Sequence, residues 1–315
     1  MASNQKERWG KPYRDRRTWP TYNEELVVRG EFLLDLAWVC SWDEELMRMN
    51  EHKRGHPYEF PESLIELQAV WNQWIGLRQV EGITRALVEA AQLPQFNDYS
   101  TINRRIRNIQ PSFALPKHGF CSVSTDGTGI KMHNAGEYRK VKYGNKKRRW
   151  IKVVLSANPL TKDMLDLEIS LDGGGLSEPE AAQQHLQNLY NHGITVDKFW
   201  GDGTFDVLQL FNLLERHSTE SAIPPRSNAS NESKGSMRRA REVREFKSKE
   251  WNTWAQEKQY GKRWLGTEVI FSAVKGVFGE NTRAKTPETA FAEVHRRFWA
   301  YERMRKYAQR KISGC

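Results

Sequence analysis

The sequence predicts an α/β catalytic domain with a mixed sheet flanked by helices, preceded by an all-α helix-turn-helix region. Three observations carry this expectation. Residues 21–115 space their apolar side chains helically between Pro and Gly punctuation. Alternating, β-branched stretches begin near residue 116. From 177 onward helix and strand patterns follow each other, so a later strand must join the sheet by a crossover.

Residues 1–20 are polar and basic and read as a flexible arm. They contain no apolar stretch of the secretory-signal kind. Asn23 is a candidate N-cap, with Glu24 and Glu25 in the first turn. Residues 61–76 place Pro61 at a first-turn position and space Leu64, Ile65, Leu67, Val70 and Trp71 as a helix does. Residues 80–92 form another helix, closed by Leu93 and Pro94. Asp98 to Thr101 caps a short basic helix carrying Arg104, Arg105 and Arg107. Two helices joined by a short Pro-containing turn, the second bearing three Arg, read as a helix-turn-helix that reaches a DNA groove.

The pattern changes near Pro116. Residues 120–125 alternate as a strand that should end at Asp126-Gly127. Residues 150–157 and 164–170 are two further strands, antiparallel to it and to each other. Residues 177–192 form a helix between Gly173–Gly175 and Gly193. Residues 195–200 are a strand that runs into Gly201-Asp202-Gly203. A helix over 205–217 and a brief strand over 221–223 follow. Residues 226–250 are polar and basic with almost no large apolar side chain, and read as a mobile insert that orders on nucleic acid. Residues 251–260, 266–278 and 287–307 are helical. The sequence thus divides into an arm (1–20), a helical DNA-binding region (21–115) and a catalytic region (116–310) with its basic insert at about 225–250.

Composition narrows the function. The chain has 49 Lys+Arg against 39 Asp+Glu, a net charge of +10, which favours a polyanionic partner. No apolar run reaches the ~18 residues of a membrane span. Cys40, Cys121 and Cys315 form no C-x-x-C pair, which excludes a disulfide scaffold and a thiolate zinc site and fits a reducing, cytoplasmic setting. Gly173–Gly175 is followed by no Gly-Lys-Ser/Thr, so no Walker-type phosphate loop is present. His133, His185, His192 and His217 lack ligand spacing and read as surface or packing residues. Trp71 with Trp74, and Trp251 with Trp254, are three apart and read as core.

The charge is unevenly spread. Residues 1–118 hold 16 basic and 16 acidic side chains. Residues 137–152 hold 8 basic and 1 acidic, and 153–224 hold 3 basic and 11 acidic. Beyond 225 the balance is basic again. An acidic block between basic margins suits carboxylates that hold cations beside a phosphate backbone.

Two carboxylates share a context, Asp126 before Gly127 and Asp202 before Gly203, each after a short strand. A strand end holds a carboxylate rigidly, and the Gly lets a metal or phosphate approach the backbone. Glu268 and Lys275 lie seven apart on one helical stretch and so share a face.

These residues resemble the DDE transposases of insertion sequences. The family's first Asp matches Asp126, and its second matches Asp202, with Phe205 and Asp206 following. Its C-terminal Tyr-Arg-Glu-Lys signature matches Tyr260, Arg263, Glu268 and Lys275. Gly136-Glu137-Tyr138-Arg139 resembles the family's stretch after its second strand. The resemblance covers about 20–308 and implies an RNase-H-like fold. It implies metal-dependent cleavage at insertion-sequence ends and strand transfer into target DNA. Asp126 would bridge two Mg²⁺ ions, with Mn²⁺ as a substitute, while Asp202 and Glu268 each hold one. Lys275, Arg263, Tyr260 and Lys131 would contact DNA near the reaction. Arg139, Lys140, Lys142, Lys146, Lys147, Arg148 and Arg149 would track its backbone. The partners implied are terminal inverted repeats, target DNA and a second copy of the chain, at the nucleoid. Two other readings share parts of this pattern: a stand-alone RNase-H-like nuclease, and a non-catalytic transposon-derived DNA-binding protein.

Overall fold

The structure is a computed structural model that describes residues 18–116, 119–132 and 150–314, and the backbone of 7–8 and 11–12. The latter two pairs form a short antiparallel ladder.

Among the described residues five α-helices precede the sheet. Helix α1 (Trp19–Glu31) begins four residues before Asn23, because Pro20 occupies its first turn and Thr18 precedes it as N-cap. Helix α2 (Trp42–Asn50) carries Asp43, Glu44 and Glu45 in its first turn, where the helix dipole favours anions. Helix α3 (Glu62–Trp71) is buried from Leu64 to Trp71 except at Glu66, so it is a core helix, apolar nearly all round. Helices α4 (Leu77–Glu89) and α5 (Tyr99–Asn108) pack on each other. Asp98 caps α5 by accepting from the Ser100 and Thr101 amides at 2.8 and 3.1 Å.

The sheet has five strands: β1 (Phe120–Lys131), β2 (Trp150–Ala157), β3 (Met164–Leu171), β4 (Thr195–Trp200) and β5 (Glu220–Ala222). Their order is β3-β2-β1-β4-β5. The first three pair antiparallel, whereas β4 and β5 join parallel through helical crossovers. Strand β1 does not stop at Asp126. It pairs with β2 from Ser124 to Lys131, placing Asp126 opposite Leu155 and Gly127 opposite Val154. The β-branched Thr128 and Ile130 continue the strand, and a ladder already formed outweighs the local turn tendency of Asp-Gly.

Helices α6 (Glu178–Asn191) and α7 (Leu208–Arg216) cover one sheet face, with Leu186 and Leu210 in a core shared with Val123, Val196 and Phe199. The other face carries α10 (Lys262–Phe278) and α11 (Pro287–Ser313). There Ile151, Val153 and Leu155 share one core with Val274, Phe298 and the α3 and α5 residues Ile65, Trp71 and Ile102. The hydrophobic core therefore runs across residue 116.

The segment expected to be a mobile insert contains helix α8 (Met237–Lys247). Ser236 caps it, and Ala240 and Val243 are the small apolar pair that seats it. Arg239 grips the buried Asp206 through two hydrogen bonds of 2.6 and 2.8 Å. Ion pairs supplement the packing of Phe246 on Trp254 here, which is why the polar composition misled. A short helix α9 (Trp251–Glu257) follows. No helix of the described residues is long and apolar enough to cross a membrane.

Candidate active site

The parallel register of β1 and β4 aligns Ser124 with Trp200. Two residues further along each chain stand Asp126 and Asp202, so the two carboxylates emerge side by side where the parallel pairing ends. The Asp126 Oδ1 accepts from the Gly127 amide at 2.9 Å, and the Asp202 Oδ1 accepts from the Thr204 amide at 2.7 Å. These bonds fix the direction of both side chains.

Helix α10 supplies the third carboxylate. A Cβ on Gly266 would stand 2.1 Å from the Ser124 Oγ and 3.3 Å from the Pro159 Cα. Only glycine permits this approach, although it costs a helix interior about 1 kcal/mol against alanine. The close contact sets Arg263, Glu268 and Lys275 over the even-numbered face of β1. Arg263 Nη1 lies 3.2 Å from Asp126 Oδ2, and its Nη2 lies 3.9 Å from Glu268 Oε1. Lys275 Nζ donates to Thr128 Oγ1 at 2.8 Å. A cavity of about 530 Å³ opens between helix and strand, lined by Asp126, Gly127, Thr128, Glu268 and Lys275 among others.

Electrostatics mark the site as short of positive charge. Burial raises the Asp126 carboxyl above its ordinary range, Arg263 opposes the rise, and Asp202 adds to it. The Tyr260 hydroxyl is pushed up to about 12, chiefly by burial and also by Asp202 and Asp126. The donor set fits a hard divalent cation: its side chains are carboxylates, and a guanidinium already stands between Asp126 and Glu268 as a stand-in cation. The carboxylates meet pairwise, Asp126 with Glu268 through Arg263 and Asp126 with Asp202 by charge. Among the described residues no three acidic, His or Cys side chains gather at mutual ligand distance.

Several residues expected at the DNA surface lie elsewhere. Arg263 is 8% exposed and serves as the internal counter-ion of two carboxylates, because α10 begins at Lys262 and folds it inward. Tyr260 is equally buried, packed with Trp200 and Trp254. Arg105 also turns inward. Its guanidinium donates to the Phe60 carbonyl at 3.1 Å and Glu62 at 2.7 Å and lies over the Tyr58 ring, so it joins α5 to the segment entering α3. Its neighbours Arg104 and Arg107 are exposed. Lys131 sits over the Trp150 ring, 3.9 Å from Glu280. Arg139, Lys140, Lys142, Lys146, Lys147, Arg148 and Arg149 lie outside the described residues, as do the 136–139 run and His133. His185 is buried, 2.8 Å from the Ser156 hydroxyl. Of the tryptophans, Trp71 and Trp254 are core, whereas Trp74 and Trp251 are 39% and 49% exposed.

One acidic residue was not anticipated. Glu178, at the start of α6, reaches the backbone of Gly127 and lies in range of the charges of Asp202 and Asp126. Its signal was present as an acidic first-turn residue after Ser177, but nothing in one dimension links it to residue 127.

Comparison with known proteins agrees with this arrangement. A family model described as "Transposase DDE domain" matches residues 118–303, more than half of the chain, and a second of the same description matches 27–135. Among solved structures, the Mos1 transposase paired-end complex with left transposon end is similar over 81% of each chain, at 12% identity and a TM-score of 0.23, a likeness too slight to carry an argument. The sheet order, Asp126 on β1, Asp202 in the turn after β4, the helix-borne Glu268 and the matched family lead to one conclusion: the chain belongs to the DDE transposase family and is a DNA transposase.

Proposed function

We propose that this transposase cuts double-stranded DNA at the ends of its element and joins the freed 3′-hydroxyl to target DNA, using Asp126, Asp202 and Glu268. One observation carries the reading. Residues from three separate elements, β1, the turn after β4 and α10, carry carboxylates that meet pairwise: Arg263 stands between Asp126 and Glu268, and Asp202 acts on Asp126 by charge. When bound, two divalent cations supply an activated nucleophile and a stabilised leaving oxygen. Carboxylate oxygens suit Mg²⁺, with Mn²⁺ as a substitute. Asp126, Asp202 and Glu268 would hold these cations, Asp126 contributing to both, Asp202 to one and Glu268 to the other.

The remaining residues position DNA. Lys275 is held at the cavity wall by Thr128 and presents its ammonium to a phosphate. Lys131, the exposed Arg104 and Arg107, and the basic stretch 139–149 extend the contact surface. Helices α4 and α5 read the terminal repeat as a helix-turn-helix. A second copy of the chain completes the assembly of paired ends.

Asp126→Asn, Asp202→Asn and Glu268→Gln each abolish Mg²⁺-dependent cleavage of terminal-repeat DNA while leaving gel-shift affinity within a few-fold of wild type. Undiminished cleavage by any one of them removes that residue from the set. Strand transfer of pre-cut ends separates a transposase from a nuclease: its absence in a chain that still cuts leaves the nuclease reading.

A further inference from the structure

We infer that Arg296 binds a backbone phosphate of the DNA duplex that helix α5 grips. The ligand is a phosphodiester, and its site joins α11 of the catalytic region to the helix-turn-helix region. The inference rests on the proposed reading of DNA by α4 and α5.

Arg296 supplies the first argument by what it lacks. It is 9% exposed, and its Nε is shut off from water without a hydrogen-bond partner. Among the described residues its guanidinium makes neither a hydrogen bond nor an ion pair. The other buried arginines of α11 are partnered. Arg297 donates to the Gly279 and Asn281 carbonyls at 3.1 and 2.7 Å and to Glu293 at 2.6 Å. Arg305 donates to Asp163 at 2.6 Å and to Glu302 at 3.1 Å. A charge leaves water only when acceptors replace it, because an unpaired buried charge is costly. Arg296 is buried without such acceptors, so it is set for one from outside the chain.

The second argument is that no internal acid is left to serve it. Glu293, one turn earlier on α11, is already saturated. Its Oε1 accepts from the Arg283 amide at 3.0 Å and from Arg297 at 2.6 Å, and its Oε2 accepts from the Ala284 amide at 2.8 Å. The Arg283 guanidinium stands 3.9 Å from the same carboxylate. Burial pushes the Arg296 guanidinium down to about 10; Glu293 opposes the fall, and Arg283 and Arg107 add to it. The group therefore keeps its charge at neutral pH, in surroundings where positive charge is in excess.

The third argument is place. The Phe113 ring, in the chain that leaves α5, lies 5.9 Å from the ring of His295, the residue before Arg296. Ile106 of α5 and Phe298 of α11 belong to one core. Between these contacts Arg107 is exposed and close enough to act on Arg296 by charge. A planar fork matches two phosphate oxygens at once. An exposed arginine backed by a buried one draws in a phosphate and then fixes it. Phosphate contacts set the register and orientation of a duplex without reading its sequence. One at Arg296 would hold the DNA read by α5 in a fixed position on the catalytic region.

The test uses the full chain and a duplex carrying the end of the element. Affinity is measured by fluorescence anisotropy across a series of salt concentrations for wild type, Arg296→Met, Arg104→Ala, Arg107→Ala and the remote control Arg216→Met. Phosphate-ethylation interference then maps the phosphates that matter. We expect Arg296→Met to weaken binding about tenfold, to lower the salt slope by about one and to lose interference at one phosphate. Without DNA it should melt close to wild type, since no internal partner is lost. The control keeps the wild-type affinity and map. Wild-type affinity and map in Arg296→Met, alongside loss in Arg104→Ala or Arg107→Ala, overturn the role of Arg296 alone. Wild-type behaviour of both α5 variants overturns the reading of DNA by α5 itself. Inorganic phosphate is the second probe. If it raises the melting temperature of wild type but not of Arg296→Met, while DNA binding by the two is equal, the site takes a free anion and the inference fails. Should Arg296→Met not fold or melt well below wild type, Arg296→Lys decides the matter. The amine it introduces should be acetylated in the free chain and shielded by the duplex. Equal labelling with and without DNA, whether full or absent, overturns the inference.

Discussion

Asp126 owes its surroundings to two residues that lack side chains. Gly266 lets α10 close on β1, and Gly127 admits Glu178 from the opposite side. Both crowd negative charge into a partly buried space, and the titration of Glu178 registers it. Burial raises its carboxyl above the ordinary range; Asp202 and Asp126 raise it further, and Lys152 opposes them. A raised carboxyl pKa means that the folded chain holds this proton more tightly than the unfolded chain does. The stability it contributes is complete below the unfolded value of about 4.3 and is lost as pH rises through the folded value. Metal-free Glu178→Gln should therefore melt above wild type at neutral pH, and the gap should close as the pH is lowered to about 4. A melting difference independent of pH would show that the charge of Glu178 is not what the fold resists.

Elements, not single residues, decide which basic side chains face outward. Three Arg in α5 looked equivalent along the chain, yet Arg105 is bound to Glu62 and the Phe60 carbonyl while Arg104 and Arg107 are exposed. The same holds for α8. Its fully buried apolar residues are small, Phe246 packs on Trp251 and Trp254, and Arg239 holds Asp206, whose side chain is fully buried. Removing one partner of a buried pair leaves the other charge uncompensated, which costs about 3–5 kcal/mol. Arg239→Ala should accordingly lower urea-unfolding stability by that amount and expose 237–247 to protease. A loss below about 1 kcal/mol would mean that α8 is held by other contacts. Asp206 follows Asp202 by four residues, so the pair also anchors the turn that carries the second aspartate.

At the scale of the molecule, the acidic block over 153–224 is partly neutralised by the basic segments that follow it. Asp163 pairs with Arg305 at 2.6 Å, Asp206 with Arg239 at 2.6 Å, and Glu215 with Arg241 at 2.7 Å. Asp126, Asp202 and Glu178 stand outside these pairings with basic residues of 225–315, apart from the Arg263 contact. Much of the alternation of charge along the chain is therefore folding chemistry, and only its remainder points to a cation. The core is continuous in the same way. Ile65, Trp71 and Ile102 bury Val294 and Phe298 in one cluster with the sheet. Each such side chain is worth about 1.5–3 kcal/mol when buried, against a net stability of roughly 5–15 kcal/mol for a whole domain. A truncated chain starting at residue 119 should lack a cooperative thermal transition and bind hydrophobic dyes. A sharp melt from that fragment would show that the helical region is a separate folding unit.

What the sequence determined by itself was local and periodic: five strands in order, the helices near their places and the Asp98 cap. Each is written in spacing or in short motifs, because strand alternation, helix period and turn chemistry act between near neighbours. The tertiary structure decided everything that depends on distant residues meeting. It carried β1 past Asp126, since the ladder with β2 supplies bonds that the strand cannot make alone. It turned Arg263, Tyr260 and Arg105 inward, where carboxylates or aromatic rings outbid water. It made a helix of α8 through ion pairs with residues up to 33 positions away. It also set Glu178 against Gly127, fifty-one positions earlier in the chain. Electrostatic and steric contacts have no period, so no pattern along the chain announces them.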